Sequence, residues 1–149
     1  MLLNLKKIRI NAKKTQREIA QYLNISEYTY SHYETEYALI PIKHLIRYCH
    51  YFQVSIDYVF GLTNFETYQN NYADVDLKKV SQNLKDFRKE FKLTQEKLAK
   101  ILNIGKGTIA DYERGRYLIS TPFLYQISKT YHISADYLLG RISEPKYLD

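Results

Sequence analysis

Apolar residues along this chain recur three and four positions apart and nowhere alternate with polar ones over strand length, a pattern that predicts helices throughout. Leu5, Ile8 and Ala12 fall on one face of a first helix. Thr15 stands at an N-cap position with Glu18 three residues later, the sequence form of a capping box, so a second helix begins near Gln16. That helix buries Ile19, Ala20 and Leu23 and stops at Asn24, a residue that tolerates the left-handed conformation. Ser26 caps a third helix carrying Thr29, Tyr30 and Tyr33. Pro41 suits the first turn of a fourth, in which Leu45, Tyr48, Cys49 and Phe52 keep the i, i+3, i+4, i+7 spacing. Ser55 caps a short fifth helix and Gly61 ends it.

The same succession of signals then returns. A shift of 79 positions aligns Leu5–Gly61 with Leu84–Gly140 without a gap, and 20 of the 57 paired residues are identical. Two copies are too few for a solenoid, so the repeat reads as a tandem pair of small domains. In the second copy the apolar faces are Val80, Leu84, Phe87 and Phe91, then Leu98, Ala99 and Leu102, then Leu124, Ile127, Ser128 and Tyr131. Asp76 is placed to cap its first helix, which makes that helix about a turn longer than its counterpart. The predicted architecture is all-α: two five-helix domains at 1–62 and 77–142, a linker at 63–76 and a tail at 143–149. The stretch from Thr63 to Val75 lacks helical period, and a flexible chain of that length has a root-mean-square span of about 20 Å.

Composition narrows the function. At 45% apolar the 149-residue chain is too hydrophobic for disorder, and no apolar run approaches the roughly 18–20 residues of a membrane span. A single cysteine forbids an internal disulfide and the N-terminus lacks the pattern of a signal peptide, so a cytoplasmic protein is expected. Four scattered histidines and one cysteine do not make a zinc site, and no glycine-rich phosphate loop occurs, so neither metal nor cofactor is expected. No nucleophile–base pair or carboxylate pair stands out, which argues against an enzyme. The net charge of +6 is uneven: residues 1–62 carry 8 basic and 5 acidic side chains, residues 63–76 none and 3, residues 77–149 14 and 8. The second copy is thus the better polyanion binder, although any one lysine reads equally well as part of a solvated helix face. Cys49, opposite Ser128 in the repeat, reads as a small buried side chain. Among the 16 tyrosines, Tyr22, Tyr28, Tyr30, Tyr37 and Tyr51 are less clearly inward, and form either an aromatic protein interface or scattered surface residues.

The run Leu93-Thr94-Gln95-Glu96-Lys97-Leu98-Ala99, with Leu102-Asn103-Ile104, Thr108-Ile109, Tyr112-Glu113-Arg114-Gly115 and Ile133-Ser134-x-Asp136-Tyr137-Leu138-Leu139-Gly140, resembles the Xre/Cro and phage-repressor class of helix-turn-helix proteins. The first copy keeps Thr15-Gln16, Ile19-Ala20, Leu23-Asn24-Ile25, Tyr33-Glu34 and Ser55-x-Asp57-Tyr58, but has Glu34-Thr35-Glu36 where the class has Glu-Arg-Gly. The resemblance implies two lambda-repressor-like domains, each laying its third helix in the major groove of double-stranded DNA. It implies base-edge positions at Gly105, Lys106, Gly107 and Asp111, and at Ser26, Glu27, Tyr28 and His32 in the first copy. Phosphate contacts fall to Thr94, Gln95, Arg114, Arg116 and Gln16. Helix N-terminal N–H groups and an amide side chain suit phosphate oxygens, and Lys106 alone of its set reaches guanine O6 and N7. Glu27 suits cytosine N4, while Tyr28 and His32 suit a thymine methyl. Glycines at 105 and 107 either permit close approach to the groove or mark a loose helix start.

The function implied is a sequence-specific DNA-binding transcriptional regulator, a repressor of phage, mobile-element or bacterial origin. The alternative is a protein-interaction module whose first copy binds a protein partner, such as a toxin, a polymerase or a defence effector, while only the second binds DNA. The class binds as symmetric dimers, and although the repeat allows a single-chain pseudo-dimer, the unlike third helices would not read the same half-site, so a homodimer with the first copy as its dimer surface is expected.

Overall fold

Short-range side-chain capping marks where six of the described helices begin. In the computed structural model, which describes residues 1, 3–68 and 71–149, Thr15 accepts from the Glu18 N–H and the Glu18 carboxylate accepts from the Thr15 N–H, closing the capping box. Ser26 accepts from the Thr29 N–H, Ser55 from the Tyr58 N–H, Thr94 from the Lys97 N–H and Ser134 from the Tyr137 N–H. Asn24 and Asn103 stop their helices in the left-handed region, at φ 58° and 57°. Leu2, and Gln69 and Asn70 within the expected linker, lie outside the described residues.

The helices are α1 (Leu5–Asn11), α2 (Gln16–Leu23), α3 (Glu27–Glu34), α4 (Ile42–Phe52) and α5 (Ile56–Val59), then α6 (Leu77–Glu90), α7 (Gln95–Leu102), α8 (Lys106–Glu113), α9 (Thr121–Tyr131) and α10 (Ala135–Leu138). Among the described residues no strand forms, and a lone bridge joins Ile133 to Tyr147. Contacts divide the chain into two compact units, Met1–Tyr72 and Ala73–Leu148. Three local expectations are corrected. Ala12 is not on the inner face of α1 but an exposed C-cap. Pro41 is the N-cap of α4 rather than part of its first turn. With Asp76 accepting from the Lys78 N–H, α6 has 14 residues to the 7 of α1, two turns more rather than one.

Each unit has its own apolar centre. In the first, Leu5, Ile19, Leu23, Leu45 and Ile56 are fully buried together with Tyr30 and Tyr48. Tyr30 is thus a core residue, not a surface one. The Tyr48 hydroxyl donates to the Leu5 carbonyl at 2.6 Å, which satisfies the one polar atom that ring brings inside. The repeat places Ile109 and Ile127 at those two positions in the second unit, and both line a gap of about 10 Å³ there. Two of the many tyrosines therefore occupy core positions that the other copy gives to isoleucine.

Structural similarity between the units runs past the end of the sequence repeat. The Ser55 N–H donates to the Glu66 carbonyl at 2.8 Å, and its counterpart Ser134 donates to the Lys146 carbonyl at 2.8 Å. In both units the chain after the fifth helix turns back to bond the residue capping that helix. Residues 65–68 of the expected linker accordingly lie along the first unit, where the Tyr68 hydroxyl donates to Asp57 at 3.0 Å. Asp57 and its counterpart Asp136 are both fully buried, and Asp136 meets Arg141 at 2.5 Å where the first unit has Leu62. A buried carboxylate needs partners, and the two copies supply them from different side chains.

Candidate nucleic-acid interface

The second and third helices of each unit are held by one arrangement of four residues. Glu34 ends α3, and its carboxylate accepts from Arg9 Nε at 2.6 Å, Arg9 Nη2 at 3.0 Å and Gln16 Nε2 at 3.0 Å. Arg9 Nη1 donates in turn to the Lys14 carbonyl at 2.9 Å. Seventy-nine residues on, Glu113 accepts from Arg88 Nε at 2.6 Å, Arg88 Nη2 at 3.0 Å and Gln95 Nε2 at 3.2 Å, while Arg88 Nη1 donates to the Leu93 carbonyl at 2.8 Å. A bidentate guanidinium thus ties the end of the third helix to the first helix, the loop after it and the start of the second. Both pairs are largely shielded, with side chains 11% and 2% exposed in the first unit and 13% and 5% in the second. Burial pushes the Glu34 carboxyl up, but the bonds from Arg9 and Gln16 outweigh it and leave the group below its ordinary value.

This frame decides what Gln16 and Gln95 can offer. Each spends one amide N–H on the glutamate, which fixes the side chain at the N-terminus of its helix and leaves the amide a second N–H. Thr94, named with Gln95 as a phosphate contact, uses its hydroxyl as the α7 cap. Sequence reasoning passed over Arg9, Glu34, Arg88 and Glu113 as functional positions. The signal was present: all four, with both glutamines, are identical between the copies.

On the third helix the units diverge. In the second, Gly105 is the N-cap, Lys106 begins α8, and Gly105, Lys106 and Gly107 are all exposed. A Cβ at Gly105 or Gly107 would touch nothing within 4 Å, so the protein's own packing does not require glycine at either place. Asp111, one turn further, accepts from Arg114 Nη2 at 2.5 Å and from Arg116 Nη1 at 3.5 Å. Arg114, then Arg116, holds the Asp111 carboxyl below its ordinary value. Gly115 turns between the two arginines at φ 75°, where a side chain would be strained.

The first unit carries other chemistry on the same positions. Ser26 is consumed as the α3 cap, its hydroxyl also donating to Thr29 Oγ1 at 2.8 Å. His32 stands where the second unit has Asp111, and its ring lies 4.3 Å from that of Tyr28 and 4.6 Å from that of Tyr37. Tyr28 and Tyr37 are 73% and 81% exposed, so the two outer rings of the row face solvent with His32 half-buried between them. Tyr22 and Tyr51, by contrast, pack on each other at 4.8 Å and are half-buried. Charge is inverted as well: Glu18 and Glu27 replace Lys97 and Lys106, and Thr35 and Tyr37 replace Arg114 and Arg116. Residues 13–38 carry three basic and four acidic side chains, against six and three in residues 92–117. Glu36 takes the left-handed position of Gly115 at φ 60°, and its carboxylate accepts from the Leu3 N–H at 2.8 Å.

Comparison with known proteins agrees with this geometry. A helix-turn-helix family model matches residues 5–59 and again residues 84–138. The HTH-type transcriptional regulator ImmR of Bacillus subtilis (strain 168) is 37% identical over 62 residues, covering 42% of this chain and 49% of ImmR. The uncharacterized HTH-type transcriptional regulator YobD of the same organism is 31% identical over 109 residues, covering 68% of this chain and 89% of YobD. The ImmF control region 10 kDa protein of Bacillus phage phi105 is 43% identical over 54 residues, covering 36% of this chain and 60% of the phage protein. The chain therefore spans about half the length of ImmR. No solved structure matches it.

Proposed function

We propose that this chain, which belongs to the helix-turn-helix family through both of its units, is a sequence-specific double-stranded DNA-binding transcriptional regulator whose second unit makes most of the DNA contacts. The observation that carries this reading is the contrast between equivalent surfaces. The α7–α8 face presents Lys97, Lys106, Arg114 and Arg116, whereas the α2–α3 face presents Glu18, Glu27, Thr35 and Tyr37 at the same positions. Neutralising phosphates and releasing their counterions is the main source of DNA affinity, so the basic face binds and the acidic one is repelled. Similarity to a bacterial transcriptional regulator and to a phage control-region protein supports a role in control of transcription. Among the described residues no helix is long and apolar enough to cross a membrane.

The exposed Tyr28 and Tyr37, joined through the His32 ring, support a second role for the first unit, contact with a second copy of the chain. Tyrosine is enriched at protein interfaces, and a homodimer presents two basic faces to an inverted-repeat site.

Selection of binding sites from a random duplex pool with the full chain tests the first role. Enrichment of a motif, with an affinity that falls steeply as salt rises, is the expected outcome, and salt-independent binding or no enrichment overturns it. Light scattering without DNA tests the second. A dimer that Tyr28→Ala with Tyr37→Ala dissociates is expected, and a monomer, or a dimer indifferent to those changes, sinks it.

A further inference from the structure

Asp111 is an odd residue for a surface that binds a polyanion. It sits among the second unit's base-edge positions, where its charge repels phosphate, yet it faces Arg114 and Arg116, the two arginines suited to grip the DNA backbone. Arg114 and Arg116 are 63% and 60% exposed, and exposed ion pairs of this kind are weak enough to be exchanged for other partners. One oxygen, Oδ1, receives both guanidinium groups. The first unit changes all three positions together, to His32, Thr35 and Tyr37, so the carboxylate occurs only where the arginines do.

Resting on the DNA-binding reading above, we propose that Asp111 is a specificity-determining residue that makes base readout conditional on backbone grip. Off DNA and on unmatched sequence, its carboxylate holds Arg114 and Arg116 and lowers the effective positive charge of the face. On a matched site, both arginines pass to phosphates, and the released carboxylate accepts from a base amino group in the major groove, cytosine N4 or adenine N6. Unmatched sequence offers no amino group there, so the carboxylate keeps both arginines and withholds them from phosphates.

Full-chain protein, the duplex selected by the wild type and a scrambled duplex of equal length test this with Asp111→Asn and Asp111→Glu. The Asn variant is expected to bind the scrambled duplex about tenfold more tightly at low salt, with a log–log salt slope steeper by about 1.8, or about 0.9 for each arginine released. Preference at the amino-bearing base is expected to vanish, so the ratio of selected to scrambled affinity falls at least tenfold, while Glu, which keeps the carboxylate, restores part of that ratio. An unchanged ratio and slope in the Asn variant overturns the proposal. So does an equal loss on both duplexes together with a lower melting temperature, which would make Asp111 a structural residue. If the wild type itself binds no duplex in a salt-dependent way, the DNA-binding reading fails first, and the proposal with it.

Discussion

Arg88 and Glu113 meet edge to edge, two nitrogens of one guanidinium lying 2.6 and 3.0 Å from the two oxygens of one carboxylate, 25 residues apart in the chain. The pair joins α6 to the end of α8 and lies almost out of solvent, which settles what its loss does. Removing one partner of a part-buried pair leaves the other charge without its bonds, at a cost of about 1–3 kcal/mol. Arg88→Met is expected to lower the unfolding free energy by that amount in denaturant titration of the full chain. Arg88→Met with Glu113→Leu is expected to recover much of it, because an apolar pair leaves no charge stranded. A loss below about 1 kcal/mol for the single change would show that the pair is no more than a surface contact.

Acid should weaken the first unit before the second. His44 Nδ1 lies 3.1 Å from the Tyr33 hydroxyl, and burial, then the Arg47 charge, holds its imidazole below the ordinary value. The folded state thus favours the neutral ring. The stability this brings is present above about pH 6.5 and is lost as pH falls through the lower folded value. Glu34, also held below its ordinary value, adds a loss of the same sign further into acid. The second unit has Phe123 at the histidine's position. Melting temperature is expected to drop between about pH 7 and 5 in the wild type and to drop less in His44→Phe; parallel curves for the two proteins would remove His44 as the cause.

The difference between these two cases explains what could be read before the structure. Capping acts over three residues, so Thr15, Ser26 and Ser55 announced their helices directly. The Arg9 and Arg88 clamps close over 25 residues, and only the identity of Arg, Gln and Glu across the copies pointed to them. Tyr30 and Ile109 differ in polarity, so periodicity alone did not place the ring inside. The return of the chain to Ser55 and Ser134 uses backbone carbonyls of Glu66 and Lys146, which leave no side-chain pattern to recognise.

Gly107 separates the two meanings of a glycine-rich helix start. It is the second residue of α8, its Cβ position is open, and alanine there should stabilise the helix by up to about 1 kcal/mol. If the groove comes close to this backbone, the added methyl obstructs it. Gly107→Ala is therefore expected to raise the melting temperature while weakening binding to the selected duplex. A more stable protein with unchanged affinity would leave Gly107 a loose helix start and nothing more.

Lys106 and Arg116 divide the remaining work between reading and gripping. Lys106 opens the recognition helix on an exposed face and has the length and charge to donate to guanine O6 and N7, groups that only one base pair presents in that pattern. Arg116 lies past the helix end, beyond the turn at Gly115, and its 60% exposed side chain is suited to a phosphate, which is alike at every sequence. Lys106→Ala is expected to relax preference at one base pair at a cost of about 1–3 kcal/mol on the selected site, and to cost less on scrambled duplex. Arg116→Ala is expected to leave the preference at every base pair unchanged while weakening the selected duplex and reducing its log–log salt slope by roughly one unit. An unchanged base preference in Lys106→Ala, with the same slope change as in Arg116→Ala, would mean that Lys106 grips phosphate as Arg116 does, and that base readout lies elsewhere on α8.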